Sequence, residues 1–275
     1  MNEYLVIDSD SHVIGTPRTW EFMDPSEEKY RPVLAPHPTD PHTQWWMAET
    51  WQRGKGRLRW SCVLPLTSMP DAIEQLRFAR EHGAVALTIR PIEGRRLVFD
   101  PYFYTLYEEA SLLGMAVAIH IGNGNREFVD LTKPACDLHS AGLWRYRLVT
   151  VGACEALIES GLPRRFPLLR WGIVEAGATW VPWVLHEARR RSVRGYQVSD
   201  DILRELNIFV TMQNDDDIPA LLPIAPDNFV IGTDYGHYDS SSQMDAIAVF
   251  KRRKDVGDEA KKKLLSDNAR RLWRI

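Results

Sequence analysis

The sequence predicts an α/β fold in which parallel strands and helices alternate around a closed (β/α)8 barrel. Two observations carry this. Short apolar runs and amphipathic helical stretches alternate about seven times along the 275 residues. The apolar runs are nearly continuous rather than polar at every second position, which marks strands buried on both faces and hence a parallel sheet. The rival, an open doubly wound sheet, is disfavoured by the residues after the first strand. SDSHVIGTP is not GxGxxG, and no GxxxxGK[ST] occurs anywhere.

The elements run in order. Residues 4–13, YLVIDSDSHV, read as the first strand, with Asp8, Asp10 and His12 at alternate positions and so on one face. Residues 14–56 are rich in proline (Pro17, Pro25, Pro32, Pro36, Pro38, Pro41) and tryptophan (Trp20, Trp45, Trp46, Trp51). Prolines at this density exclude long helices and central strands. The stretch reads as an insertion that either packs on the body or forms a lid whose aromatic residues, Trp20 among them, line a pocket for a small planar molecule. A hidden eighth strand is expected at residues 44–48. RLRWSCVLPL is a strand and DAIEQLRFAREHG a helix stopped by glycine. AVALTIRP is a strand, PYFYTLYEEASLLG a helix stopped by Gly114, and MAVAIHIG a strand followed by a short loop, GNGNREFVD. YRLVTVGACEALIESG is a helix and PLLRWGIVEAG a strand. TWVPWVLHEARRRSVRG is a helix with Thr179 as its N-cap. DILRELNIFVTMQ holds a short helix and a strand, DDDIPALLPIA a short helix, and NFVIGTDYGH the last strand. DEAKKKLLSDNARRLWRI is a closing amphipathic helix. The whole chain, 1–275, reads as one domain, a length that barrels reach as a single unit.

Composition narrows the function. Apolar residues are 44%, charged residues 26%, and the net charge is −3, which gives no basic field to attract nucleic acid. Basic runs such as ARRRSVR fall at helix ends among acids and read as solvated faces. Cys62, Cys136 and Cys154 show no CxxC spacing and read as free thiols of a reducing compartment. The N-terminus has no leader pattern and no apolar run is long enough for a membrane span. A cytoplasmic protein with a small-molecule partner is expected.

In a barrel, reactive groups stand at the C-terminal ends of strands. Those ends hold Asp10 and His12, then Arg90, then His120 with Asn123 and Asn125, then Glu175, then Gln213, and finally Asp234 with His237. Asp10, His12, His120 and Asp234 form a nitrogen and oxygen donor set from three strands. Such a set suits one divalent metal, Zn²⁺ first, then Mn²⁺ or Mg²⁺. Asp8 is expected beside it, as a carboxylate accepting backbone hydrogen bonds.

Asp10-Ser11-His12 after the first strand, His120 after MAVAIHIG, and GTDYGH followed by a helix with SDNARRLW together resemble the amidohydrolase superfamily. The resemblance is to the amidohydrolase-related branch that includes aminocarboxymuconate semialdehyde decarboxylase and γ-resorcylate decarboxylase. It covers essentially the whole chain. It implies a distorted (β/α)8 barrel of the metal-dependent hydrolase type, with one metal held by Asp10, His12, His120 and Asp234. Asp234 would also transfer protons. The fourth strand ends without a lysine, so the carbamylated lysine of two-metal members has no counterpart. A homodimer is one assembly the resemblance allows. The chain departs from the family's pattern at two places. Asp10 stands where the first histidine of HxH is usual, and Glu175 ends a strand that often ends in histidine.

These residues read as a metal-dependent hydrolase acting on a small cyclic or aromatic substrate through a metal-activated water. Asp234, Glu175 and His237 are its catalytic candidates, and Arg90, Asn123 and Trp20 its substrate-binding ones. The alternative is a non-oxidative decarboxylase of a small aromatic or unsaturated acid. A reading from another class is a binding barrel that has lost its chemistry.

Overall fold

The structure is a computed structural model. It describes residues 4–12, 57–136, 142–191, 197–235 and 245–275, and the backbone of Ala35–Pro36 and Gln44–Trp45. Six parallel strands make one sheet: β1 Trp60–Val63, β2 Ala84–Ile89, β3 Ala116–His120, β4 Trp171–Val174, β5 Ile208–Met212 and β6 Phe229–Ile231. Each pairs with the strand before it in sequence, so the order runs without a reversal from β1 to β6. A doubly wound sheet would reverse, so this order belongs to a barrel. The longer helices are α1 Met69–Glu81, α2 Tyr104–Leu112, α3 Arg126–Cys136, α4 Leu148–Ser160, α5 Val181–Arg191 and α6 Ala246–Arg252, with single helical turns at Leu162–Arg165, Ile202–Glu205 and Ile218–Leu221. The chain then runs through α7 Asp258–Lys262, a π-helical turn at Lys263–Asp267 and α8 Asn268–Trp273. Among the described residues no helix is long and apolar enough to cross a membrane.

Three expectations need correction. Residues 4–12 do not form a regular strand. The segment is extended, bends at Ser9 and Asp10, and lies beside the end of β6. Ile7 N donates to Leu265 O, Ser9 N to Ile231 O and His12 N to Tyr235 O, with a parallel bridge between Ser11 and Tyr235. The bend breaks the alternation, so Asp8 does not share a face with Asp10 and His12. The first two residues of the expected eighth strand, Gln44 and Trp45, are also not in the main sheet, and residues 46–48 lie outside the described residues. Gln44–Trp45 pairs antiparallel with Ala35–Pro36, outside the main sheet. The stretch after His120 is not all loop: α3 begins at Arg126, where the Asn125 side chain accepts from Phe128 N.

The sheet separates two apolar layers. Outward-facing residues such as Leu87, Val117, Ile173, Val210 and Phe229 pack under the helices. There the fully buried Trp171 meets Tyr107 edge-on, with ring centroids 5.1 Å apart. The inward-facing residues are mostly small (Ala86, Ala116, Ala118), joined by Val174, Phe209, Val230 and Ile7. Small side chains leave room inside, and α8 fills it from below with Ala269, Leu272 and Trp273. A side chain at Gly172 would meet Leu272 and Trp273 at 3.5 and 3.6 Å. Asn268, which is buried, donates to the Pro226 and Phe229 carbonyls and fastens α8 to the foot of β6. The SDNARRLW stretch is therefore the barrel's floor. It leaves the opposite end, where the strands terminate, open for chemistry. Replacing Trp273 with alanine should leave a cavity in that floor and destabilise the protein by about 3–5 kcal/mol, measured by urea unfolding.

Candidate metal centre

At the open end, four donors converge. One donor atom each from Asp10, His12, His120 and Glu175 lies within 4.8 Å of all the others. His12 Nε2 stands 3.5 Å from Asp10 Oδ1 and 3.8 Å from Glu175 Oε2. His120 Nε2 stands 3.6 Å from Asp10 Oδ1 and 3.1 Å from Glu175 Oε2. Asp234 Oδ1 joins the cluster through His12 Nε2, at 3.2 Å. Asp10, Glu175 and Asp234 are buried, Asp234 completely.

The backbone sets these positions. His120 ends β3 on the face that Ala116 and Ala118 turn inward, so strand alternation alone aims it. Glu175 and Asp234, just past the ends of β4 and β6, both have left-handed backbone, φ 65° and 51°. That conformation costs a residue with a Cβ about 1–3 kcal/mol and persists only where surroundings enforce it. For Asp234 the enforcement comes from the N-terminal segment. Asp10 O accepts from Thr233 N and Asp234 N, and Asp8 accepts from Thr233 N (2.9 Å) and Thr233 Oγ1 (2.6 Å). Asp8 is thus a clamp on the Asp234 turn. Burial raises its carboxyl pKa, against the hydrogen bonds from Thr233 and Asp10 N, which lower it. For Glu175, Thr211 Oγ1 on β5 accepts from its backbone N at 2.8 Å. Asp216 accepts from Ala178 N, Thr179 N and Gln213 N, and takes the Thr179 hydroxyl at 2.6 Å. Thr179 is therefore not the N-cap that the sequence implies, because its hydroxyl is spent on Asp216.

Gly232 is a residue that sequence reasoning missed. A Cβ there would stand 2.5 Å from Asp10 Cβ, so only glycine lets Asp10 come this close to β6. Its sole sequence signal was the glycine in FVIGTD. Thr211 and Asp216 were visible only as polar residues in and after an apolar strand.

The remaining candidates separate. Arg90 lies across the loop after His120, close to Gly122 and Gly124, with its guanidinium on both carboxylate oxygens of Glu93, at 3.0 and 2.6 Å. Asn123 is buried in the same loop, donating to Arg145 O and accepting from Asn125 N. Trp20 and His237 lie outside the described residues, as does nearly all of the 14–56 stretch.

The donor set fits one divalent cation. Ligand atoms about 2.1 Å from a shared ion lie roughly 3.0–3.4 Å apart at right-angled or tetrahedral spacing. The four imidazole–carboxylate separations, 3.1–3.8 Å, overlap that range and extend slightly beyond it, and all four donors lie within 4.8 Å of one another. His120 Nδ1 is 3.0 Å from Ile121 O, and donation there leaves Nε2 turned to two carboxylates. A proton or a cation must sit between them. Without metal it is a proton. Burial would push the imidazole down, but Asp10 and Glu175 outweigh it and lift His120 to about 9. Burial likewise works against ionised Asp10, yet hydrogen bonds from both imidazoles bring its pKa below the ordinary value.

A barrel of this strand order with two imidazoles and several carboxylates at its open end defines a class, the metal-binding (β/α)8 enzymes. The amidohydrolase family model matches residues 23–275, and the chain belongs to that family. None of the curated proteins matches the chain by sequence. Three similar solved structures share the fold. One is an amidohydrolase from Mycobacterium avium subsp. paratuberculosis (TM-score 0.63, 18% identity, 78% of this chain and 57% of that one). Another is a dihydroxybenzoic acid decarboxylase from Polaromonas sp. JS666 with bound manganese and 2-nitroresorcinol (0.63, 20%, 82% and 72%). The third is a 5-carboxyvanillate decarboxylase from Novosphingobium aromaticivorans with manganese and 4-hydroxy-3-methoxy-5-nitrobenzoic acid (0.63, 16%, 82% and 67%). The chain thus spans little more than half of the first and about two thirds or more of the others.

Two outcomes are expected. A folded-state pKa raised from 6.5 to about 9 stabilises the metal-free protein fully below pH 6.5, and this contribution is lost as pH rises through 9. Urea unfolding of metal-free protein should show that decline, and His120→Ala should flatten it. Gly232→Ala should displace Asp10 and weaken divalent-metal binding about 10- to 100-fold, read by competition with a fluorescent chelator.

Proposed function

We propose that this chain is a metal-dependent decarboxylase of a small aromatic acid. The convergence of Asp10, His12, His120 and Glu175 on one point carries the reading. Similar structures that hold manganese and nitro analogues of aromatic acids support the substrate class. The four converging residues would hold the cation, leaving Asp234 for proton transfer. This differs from the set that the resemblance implies, in which Asp234 is the fourth ligand. Two imidazoles with two or three carboxylates form a hard, oxygen-rich set that favours Mn²⁺, with Zn²⁺ as the competing ion.

Bound there, the cation would supply positive charge to a substrate carboxylate and a neighbouring oxygen, offsetting the three carboxylates of the site. The chain's own residues do the rest. Asp10 and Glu175 hold both imidazoles in place. Asp234, out of contact with bulk water, would be the group that delivers the proton. As the bond between ring carbon and carboxylate breaks, its electron pair takes that proton and carbon dioxide leaves. Asp234 is reprotonated once product leaves and the open end admits water. Arg90 reaches a substrate carboxylate only by leaving Glu93, so its part is to hold the loop after His120.

One observation favours a second reading, metal-dependent hydrolysis. Three buried carboxylates in one small space oppose an anionic substrate and admit a neutral ester or amide. Products separate the two. Protein loaded with Mn²⁺ and offered carboxyl-labelled hydroxybenzoates should release labelled carbon dioxide and place solvent deuterium on the ring. Labelled water entering an acid product, with no carbon dioxide, would establish the hydrolase instead. Asp234→Asn should keep the metal and lose about 10²–10⁴-fold in turnover. Loss of metal in that variant would return Asp234 to the ligand set in place of Glu175.

A further inference from the structure

The foot of the barrel, away from the metal centre, gathers three guanidinium groups. Arg170, immediately before β4, is buried; its Nε donates to Leu272 O at 2.7 Å and its Nη2 to Gly114 O at 2.8 Å. Its Nη1 is buried and has no hydrogen-bond partner among the described residues. Arg274 sits in left-handed backbone, φ 53°, just past α8. Its Nη1 would be 3.2 Å from a Cβ at Gly114, a glycine that itself has φ 67°. Arg80, near the end of α1, donates from Nη1 to Ala84 O at 3.2 Å. The β2–β3 register sets Ala86 opposite Ala116, so Ala84 lies across from Gly114. Arg80, Arg170 and Arg274 therefore meet around one strand foot, with Arg80 and Arg274 exposed at its rim.

Three cations at one place need an anion. Among the described residues, no carboxylate is ion-paired with any of the three. Other arginines, such as Arg77, Arg90, Arg189 and Arg253, each have an Asp or Glu within 4.0 Å. Burial pushes the Arg170 guanidinium down to about 10, and the charges of Arg274 and Arg80 push the same way. A buried guanidinium beside like charges is costly unless a counter-ion pairs with it. Planar guanidinium forks match the oxygen spacing of phosphate and carboxylate.

We propose that the barrel floor holds a small oxyanion of phosphate size between Arg80, Arg170 and Arg274, tying α8 to the feet of β2, β3 and β4. The site is separate from the metal centre and does not rest on the reading of the reaction. The test titrates inorganic phosphate into the full-length chain at ionic strength fixed with sodium chloride, following heat of binding and thermal midpoint. Phosphate should bind saturably and raise the midpoint beyond chloride. Arg274→Gln and Arg80→Gln, both on exposed residues, should each weaken phosphate binding about tenfold or more. The lysine variants at the same positions should recover part of the loss. His120→Ala, which disables the metal centre, should leave phosphate binding intact. No saturable response beyond chloride overturns the proposal. So does a response that persists in both glutamine variants or disappears in His120→Ala.

Discussion

Everything at the open end of this barrel depends on one constraint: buried carboxylates that repel one another are kept together around two imidazoles. Asp10, Glu175 and Asp234 would each move towards water if their backbones allowed it. They are prevented from doing so by left-handed turns at Glu175 and Asp234 and by the contact of Asp10 with Gly232. A cation held there would turn this repulsion into coordination, and the strain in the turns would then serve as preorganisation.

The clamps that hold the turns share a logic. In each case a side chain on a neighbouring element takes the backbone N–H groups that a left-handed turn leaves without a ladder partner. Asp8 does so for Thr233, next to Asp234, and Thr211 does so for Glu175, with Asp216 holding the next turn. Buried N–H groups require such partners. The same requirement makes the N-terminal segment an extended strap rather than a strand. Its hydrogen bonds are divided among Leu265, Ile231, Tyr235 and the Asp234 turn instead of forming one ladder.

The two ends of the barrel are coupled through packing. The small alanines that line the interior also make room for Leu272 and Trp273, and Ser9, one residue before Asp10, receives the Trp273 indole N–H at 3.3 Å. The floor thus reaches up to the segment that carries Asp10 and His12, two of the four converging donors. This is the physical sense of the SDNARRLW stretch: Asn268 fastens it to the foot of β6, and Trp273 ties it to the strap.

Much of this was determined by sequence alone. Predominantly apolar runs placed all six strands, because most of their side chains are buried on both faces; Trp60–Val63, at the sheet's edge and with Ser61 and Val63 exposed, is the exception. The ends of those runs placed His120, Glu175 and Asp234 at one rim, and the DxH pattern added Asp10 and His12. The tertiary structure decided what periodicity cannot express. The bend at Ser9 and Asp10 turned Asp8 away from the donors, because the strap's hydrogen bonds go to several partners. Glu175 entered the donor cluster because a left-handed turn re-aims a side chain that strand alternation would have sent elsewhere. The hydroxyl of Thr179 went to Asp216, 37 residues away in sequence, and not to its own helix. Local sequence fixes where a strand ends. How a turn beyond that end points its side chain depends on which distant group takes its backbone hydrogen bonds, and only the folded chain brings that group into place.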